Sequence, residues 1–165
     1  MIEVRQLTKQ FGKFTALENI SLKVERGSVY GLVGYNGAGK TTLLKNICGI
    51  YKPEKGEVLF EGENIFNNEE KKKQLFFMPD DLYFGPYANM VKMADFYNGY
   101  YKRFNYDTFN KLTEAFGLDP TKRINGFSKG MQRQAEMVLA LSTHPKLLLL
   151  DESFDGIDPQ KRIFM

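Results

Sequence analysis

The stretch from Val29 to Cys48 limits what this chain can fold into more than any other part of it. A short apolar run, Val29-Tyr30-Gly31-Leu32-Val33, leads into Gly34-Tyr35-Asn36-Gly37-Ala38-Gly39-Lys40-Thr41-Thr42, and the mostly apolar Leu43 to Cys48 follows. The run is short enough for a buried strand, and the loop satisfies G-x-x-x-x-G-K-[ST]. Glycine admits backbone angles that turn consecutive N–H groups inward, so Gly34, Asn36, Gly37, Ala38 and Gly39 can line a concave anion site. A helix starting near Gly39 adds its positive dipole end and its unpaired amides. Lys40 then brings a point charge to the β- and γ-phosphates, the Thr41 hydroxyl is placed for Mg2+, and Thr42, just past the motif, is a further candidate binding residue. The segment points to a bound nucleoside triphosphate.

A metal-bound triphosphate needs a second acidic element at the end of a neighbouring strand. Leu147-Leu148-Leu149-Leu150-Asp151-Glu152 supplies one: an apolar run after Pro145, closed by two acids. Asp151 is expected to hold Mg2+ through water, and Glu152 to polarise the attacking water as general base. The long interval between Lys40 and Asp151 leaves room for a whole helical lobe.

Composition closes off other classes. The net charge of +3 is small and the basic residues are scattered, so no nucleic-acid partner is expected. The single cysteine, Cys48, excludes an internal disulfide framework and reads as a buried, inert thiol in a reducing compartment. The first ten residues hold no apolar secretory core, and no stretch approaches the roughly 20 apolar residues that span a bilayer. A cytoplasmic location is expected, with any membrane role coming through a partner. Lys71-Lys72-Lys73 follows Glu69-Glu70 and reads as a solvated face.

Alternation predicts strands at 2–7 and 20–25, with further strands at 29–33, 56–60 and 147–150. Helical signals cover 88–103, 107–117 and 129–142, the second ended by Gly117 and Asp119-Pro120. The order is strands, phosphate-loop helix, strands, helical insertion, buried strand, which is α/β with a helical lobe. Residues 76–109 hold twelve Phe and Tyr side chains, mostly expected to pack inside, with a few left for a docking surface.

Between the phosphate loop and the acidic strand lies Gly126-Phe127-Ser128-Lys129-Gly130-Met131-Gln132. With that segment the chain resembles, over essentially its whole length, the ATPase subunit of ABC transporters, whose signature is written L-S-G-G-Q. Ser128 and Gly130 match it, and the S-K-G-M variant resembles a subgroup of bacterial exporters for drugs and antibiotic peptides. The resemblance implies an α/β P-loop NTPase fold with an N-terminal antiparallel β-subdomain and an inserted α-helical subdomain. Residues 1–80 and 145–165 would form the catalytic core and 81–144 the helical part. It implies ATP and Mg2+ as cofactors, a transmembrane permease partner touching residues 79–105, and a head-to-tail homodimer or related ATPase subunit. In that dimer Ser128 and Gly130 meet the γ-phosphate held by the opposite subunit.

Other positions carry over one by one. Phe11, in Lys9-Gln10-Phe11-Gly12, matches the aromatic that stacks on adenine. Asp155-Gly156-Ile157-Asp158 matches the dimer-contacting loop, with Ser153 where Pro is usual. Asp80, in Met78-Pro79-Asp80-Asp81, falls where the family's metal-contacting Gln sits; a carboxylate there is shorter but can ligate a hard cation. His144 resembles a loop residue at a helix end, and the histidine that the family places after the dimer loop has no counterpart before Met165. The expectation is a sheet incomplete at the C-terminus and slow or absent turnover. Two rival readings are a nucleotide-binding regulatory module that does not turn over and a soluble ABC ATPase.

Overall fold

The first strand carries Ile2, Val4, Leu7 and Lys9 on its buried side, a pattern that strict alternation cannot give. A bulge supplies the missing residue: the ladder shifts between Val4 and Leu7, and Gln6 adopts a left-handed φ of 45°. The Gln6 amide, lost to the ladder, donates instead to the Ser21 hydroxyl at 2.9 Å. In this computed structural model, which describes residues 1–152, the chain divides into two compact units, Met1–Lys72 and Lys73–Met165.

The first unit is built on an antiparallel sheet. Strand β1 (Ile2–Phe11) pairs with β2 (Phe14–Val24) on one side and β3 (Lys55–Phe60) on the other, and β4 (Glu63–Asn64) closes the edge. Strands β1 and β2 meet in a tight hairpin at Phe11 and Phe14. Helix α1 (Lys40–Ile47) buries Leu43, Leu44 and Ile47, and Cys48 just beyond it is buried, as expected. Both strands outrun the predicted 2–7 and 20–25, because bulges break the two-residue period along which those limits were drawn.

Two expectations fail here. Residues 29–33 form no strand: neither sheet includes them, and Val29 and Val33 are fully exposed. An apolar run becomes a strand only where a partner takes its N–H and C=O groups, and no described strand does so. The lysine run is not a solvated face either. Helix α2 (Glu69–Lys72) leaves Lys71 and Lys72 half-buried; Lys71 reaches Glu63 at 2.8 Å and Lys72 reaches Glu69 at 3.0 Å. The acids that gather Lys71 come from the sheet edge, beyond the reach of a local charge pattern.

In the second unit β5 (Leu75–Met78) and β6 (Leu147–Leu150) pair in parallel, Leu75 beside Leu147 and Met78 beside Leu150. Between them run α3 (Met90–Tyr100), α4 (Tyr106–Phe116), a 3-10 turn at Ile124–Gly126 and α5 (Lys129–Ser142). Each long helix starts on a side-chain cap: Asn89, Asn105 and Ser128 accept the N–H of Lys92, Thr108 and Met131. Gly117, at φ 65°, ends α4 as expected. The helices close on a core of Met90, Ala94, Phe109, Ile124, Val138 and Leu139. Strand β5, not foreseen, lies at the start of the aromatic-rich stretch. Of those aromatics Phe76, Phe84 and Phe109 are buried, while Tyr83, Tyr87, Phe96, Tyr100 and Tyr106 are exposed.

Candidate functional site

The phosphate loop and its flanking helix lie within the first unit. Gly37 and Gly39 take φ of 86° and 89°, the left-handed region the motif needs glycine for. At Gly39 there is a second reason: a Cβ there would stand 2.8 Å from Leu17 Cδ2 and 2.9 Å from the Ala16 carbonyl oxygen on β2. The loop thus rests against the hairpin strand. Ala38 N–H closes a turn on the Tyr35 carbonyl at 3.1 Å, and Lys40 Nζ crosses the loop to the carbonyls of Gly34 (2.7 Å) and Tyr35 (3.1 Å). Gly39 begins α1 with no side-chain cap, so the first amides of the helix have no side-chain acceptor. Thr41, in the first turn, is exposed, and Thr42 is partly buried with its carbonyl accepting from Asn46 Nδ2. Left-handed backbone at Gly37 and Gly39, an ammonium held against the loop carbonyls and an uncapped helix start fit a magnesium-bound triphosphate.

Phe11 belongs to the same unit. Its ring, 44% exposed, sits at the hairpin end, and Tyr51 meets it edge-on at 5.4 Å. Tyr51 carried no sequence signal, since only the fold brings it beside Phe11.

The remaining positions fall in the second unit. Ser128 caps α5, accepting from Met131 N–H at 3.2 Å, and Gly130 lies in the first turn. Asp151 and Glu152 follow β6. Asp151 is buried and its amide donates to the Met78 carbonyl at 3.0 Å, while exposed Glu152 takes a left-handed φ of 49°. A glutamate in that region is strained, and such strain collects at functional positions. Asp80, expected to face a metal, has Oδ1 engaged by Arg133 Nη2 at 2.6 Å. Arg133 immediately follows the signature segment; its partner is distant in sequence, so nothing local marked it.

One acid has no place in that scheme. Glu136, in the middle of α5, is 5% exposed; Tyr97 O–H donates to its Oε1 at 3.0 Å, and Oε2 has no hydrogen-bond partner among the described residues. Burial pushes its carboxyl up to about 7. Burial, and then the charge of Glu136, lifts the Tyr97 phenol far above its ordinary range. His144 lies in the turn after α5, its Nε2 2.9 Å from the Thr108 hydroxyl. Ser153 and the Asp155–Asp158 loop lie outside the described residues.

The fold and loop have counterparts in known proteins. The "ABC transporter" family profile matches residues 17–155. The ABC transporter ATP-binding protein YtrB of Bacillus subtilis is 35% identical over 162 residues, which is 98% of this chain and 56% of that protein. The bacitracin transport ATP-binding protein BcrA of Bacillus licheniformis is 33% identical over 168 residues, 96% of this chain and 53% of that one. A solved ATP-binding subunit of an ABC transporter superposes with a TM-score of 0.88 at 26% identity, covering 96% of this chain and 69% of the other. Names among further relatives include multidrug and lantibiotic transport as well as sugar and methionine import. The chain spans little more than half the length of YtrB and BcrA. With its phosphate loop, helical lobe and acidic strand end, it belongs to the ABC transporter family of ATP-binding proteins.

Proposed function

We propose that this chain binds Mg-ATP and hydrolyses it to ADP and phosphate, driving a separate membrane permease that exports its cargo. The observation that carries the reading is the loop itself, where Lys40 Nζ spans Gly34 and Tyr35 above the uncapped start of α1. Lys40 exchanges those carbonyls for phosphate oxygens, and the amides of Gly34, Asn36, Gly37, Ala38 and Gly39 orient the triphosphate. Mg2+ supplies charge neutralisation on the phosphates. Thr41 and Asp151 would help to hold the Mg2+, and Glu152 would take a proton from the attacking water. Phe11 stacks on adenine. Asp80, whose Oδ1 is engaged by Arg133, would be a further residue to hold the Mg2+.

Residues 1–80 and 145–165 act as catalytic core and 81–144 as the helical part. Ser128 and Gly130 meet the γ-phosphate held by a second copy or a related ATPase subunit, giving a head-to-tail dimer. A permease contacting residues 79–105, where Tyr83, Tyr87 and Phe96 are exposed, brings the chain to the inner face of the membrane. Among the described residues no helix is long and apolar enough to cross a membrane. The S-K-G-M signature favours export, and the likeness to BcrA favours a transport role. The engagement of Asp80 by Arg133 favours a second reading, a nucleotide-binding module without turnover. Phosphate release from Mg-ATP decides between them: wild type should turn over while Glu152→Gln binds ATP and does not. Equal, background-level release from both would leave the second reading standing.

A further inference from the structure

The Phe11 ring is more firmly held than an aromatic at an exposed hairpin end needs to be. Tyr51, in the loop after α1, abuts it with 78° between ring planes. Lys9, two residues back on β1, places Nζ 5.2 Å from the Phe11 centroid and 5.9 Å from that of Tyr51. From the other direction Lys45, on α1, sets its ammonium 5.7 Å from the Tyr51 centroid. Lys9 does not wander: its largely buried side chain donates from Nζ to Glu54 Oε1 and to the Lys52 carbonyl, both at 2.8 Å. Glu54 is fixed in turn, its Oε2 accepting the Gln10 amide at 2.6 Å. The Lys9 ammonium, with that amide, holds the Glu54 carboxyl below the usual carboxylate range, so the ion pair persists through neutral pH.

We infer that Tyr51 and Lys9 are positioning residues that fix the Phe11 ring as a platform for a purine base. Tyr51, packed nearly perpendicular to the ring, limits the rotamer freedom that an exposed phenylalanine would lose on binding. Lys9 draws π density toward its own side of the ring. The opposite side is left electron-poor, which suits stacking on an electron-rich purine over a pyrimidine. This rests on the reading that Phe11 meets the base of ATP.

Two ligands separate the base from the phosphates: Mg-ATP and magnesium tripolyphosphate, each titrated against the whole chain by calorimetry. Tyr51→Leu and Lys9→Met should each weaken ATP by about three- to tenfold and leave tripolyphosphate unchanged. Tyr51→Phe and Lys9→Arg should keep wild-type affinity for both, and Tyr51→Leu should have no further effect in a Phe11→Leu background. Thermal melts establish that each variant is folded. Equal losses for both ligands, or an undiminished ATP affinity in folded Tyr51→Leu, would overturn the inference. A wild-type chain that bound neither ligand would remove the ATP reading itself, a failure visible before any variant is made.

Discussion

Arg133 donates from Nη2 to the Asp80 carboxylate across 2.6 Å, tying the loop after β5 to the helix that Ser128 caps. The two ends of this pair are unequally exposed: 12% for the Arg133 side chain and 50% for Asp80. Arg133 Nη1 has no hydrogen-bond partner among the described residues. Removing the acid therefore strands a mostly buried cation, whereas removing the arginine leaves a carboxylate that water can reach. Asp80→Ala should cost about 1–2 kcal/mol in urea melts, and Arg133→Met well under about 1 kcal/mol because its stem keeps the packing. The double variant should resemble Arg133→Met.

The same pair bears on the metal. If Asp80 serves Mg2+, Arg133→Met frees the engaged carboxylate oxygen Oδ1 and should shift the Mg2+ dependence of ATP turnover to lower concentration. Asp80→Gln should shift it the other way. Superimposable magnesium titrations for wild type and Asp80→Gln would take Asp80 out of the metal site.

Glu136 gives the fold a pH signature. Its folded value of about 7 lies above the 4.5 of an ordinary glutamate, so the folded chain holds more protons than the unfolded one between those values. Stability from this group is full below about pH 4.5, falls as pH rises to about 7, and is flat beyond. The loss is on the order of 3 kcal/mol. Glu136→Gln should flatten that fall and make the chain more stable than wild type at pH 8, as chemical denaturation at pH 5 and pH 8 would show. Tyr97→Phe removes the donor that favours the ionised form, and should steepen the fall.

Gly37 and Gly39 share a backbone conformation but not surroundings. An added Cβ at Gly37 meets nothing within 4 Å, so Gly37→Ala should cost only backbone strain, about 1 kcal/mol. At Gly39 it meets β2 backbone and Leu17, so Gly39→Ala should cost about 2–3 kcal/mol and abolish ATP binding by displacing the start of α1. Denaturation midpoints and equilibrium dialysis with ATP measure the two effects.

Ser128→Ala removes the side-chain acceptor of Met131 N–H and should lower stability by about 1 kcal/mol. If its hydroxyl also meets a partner's γ-phosphate, turnover falls much further than stability does, while ATP affinity of the isolated chain is preserved. Steady-state rates beside equilibrium binding separate the two roles.

What could be read from the sequence was what consecutive residues decide. The phosphate loop is a run of backbone conformations dictated by glycine, Ser128 caps the helix it precedes, and α5 spans the predicted 129–142. What escaped depends on contacts between distant segments. Strand β5 is four residues long and opens an aromatic-rich stretch, so neither length nor period set it apart. Val29–Val33 has the composition of a buried strand, but composition says nothing of whether a partner stands beside it. Tyr51 beside Phe11 and Arg133 beside Asp80 arise from chain reversals that no spacing encodes. The dimer-contacting positions 155–158 lie beyond the described residues and stay expectations.

The parallel register of β5 and β6 has a bearing on the order of assembly. Strands running the same way cannot be joined by a hairpin, so β6 docks only after the intervening helices have folded back. Asp151, whose amide extends that ladder to Met78, is therefore delivered late, whereas the loop around Lys40 depends on nearer neighbours. If the roles proposed for Lys40 and Asp151 hold, a nascent chain of this kind would acquire its grip on phosphate before its means of cleaving it, and partial unfolding of the helices would silence the second ability first.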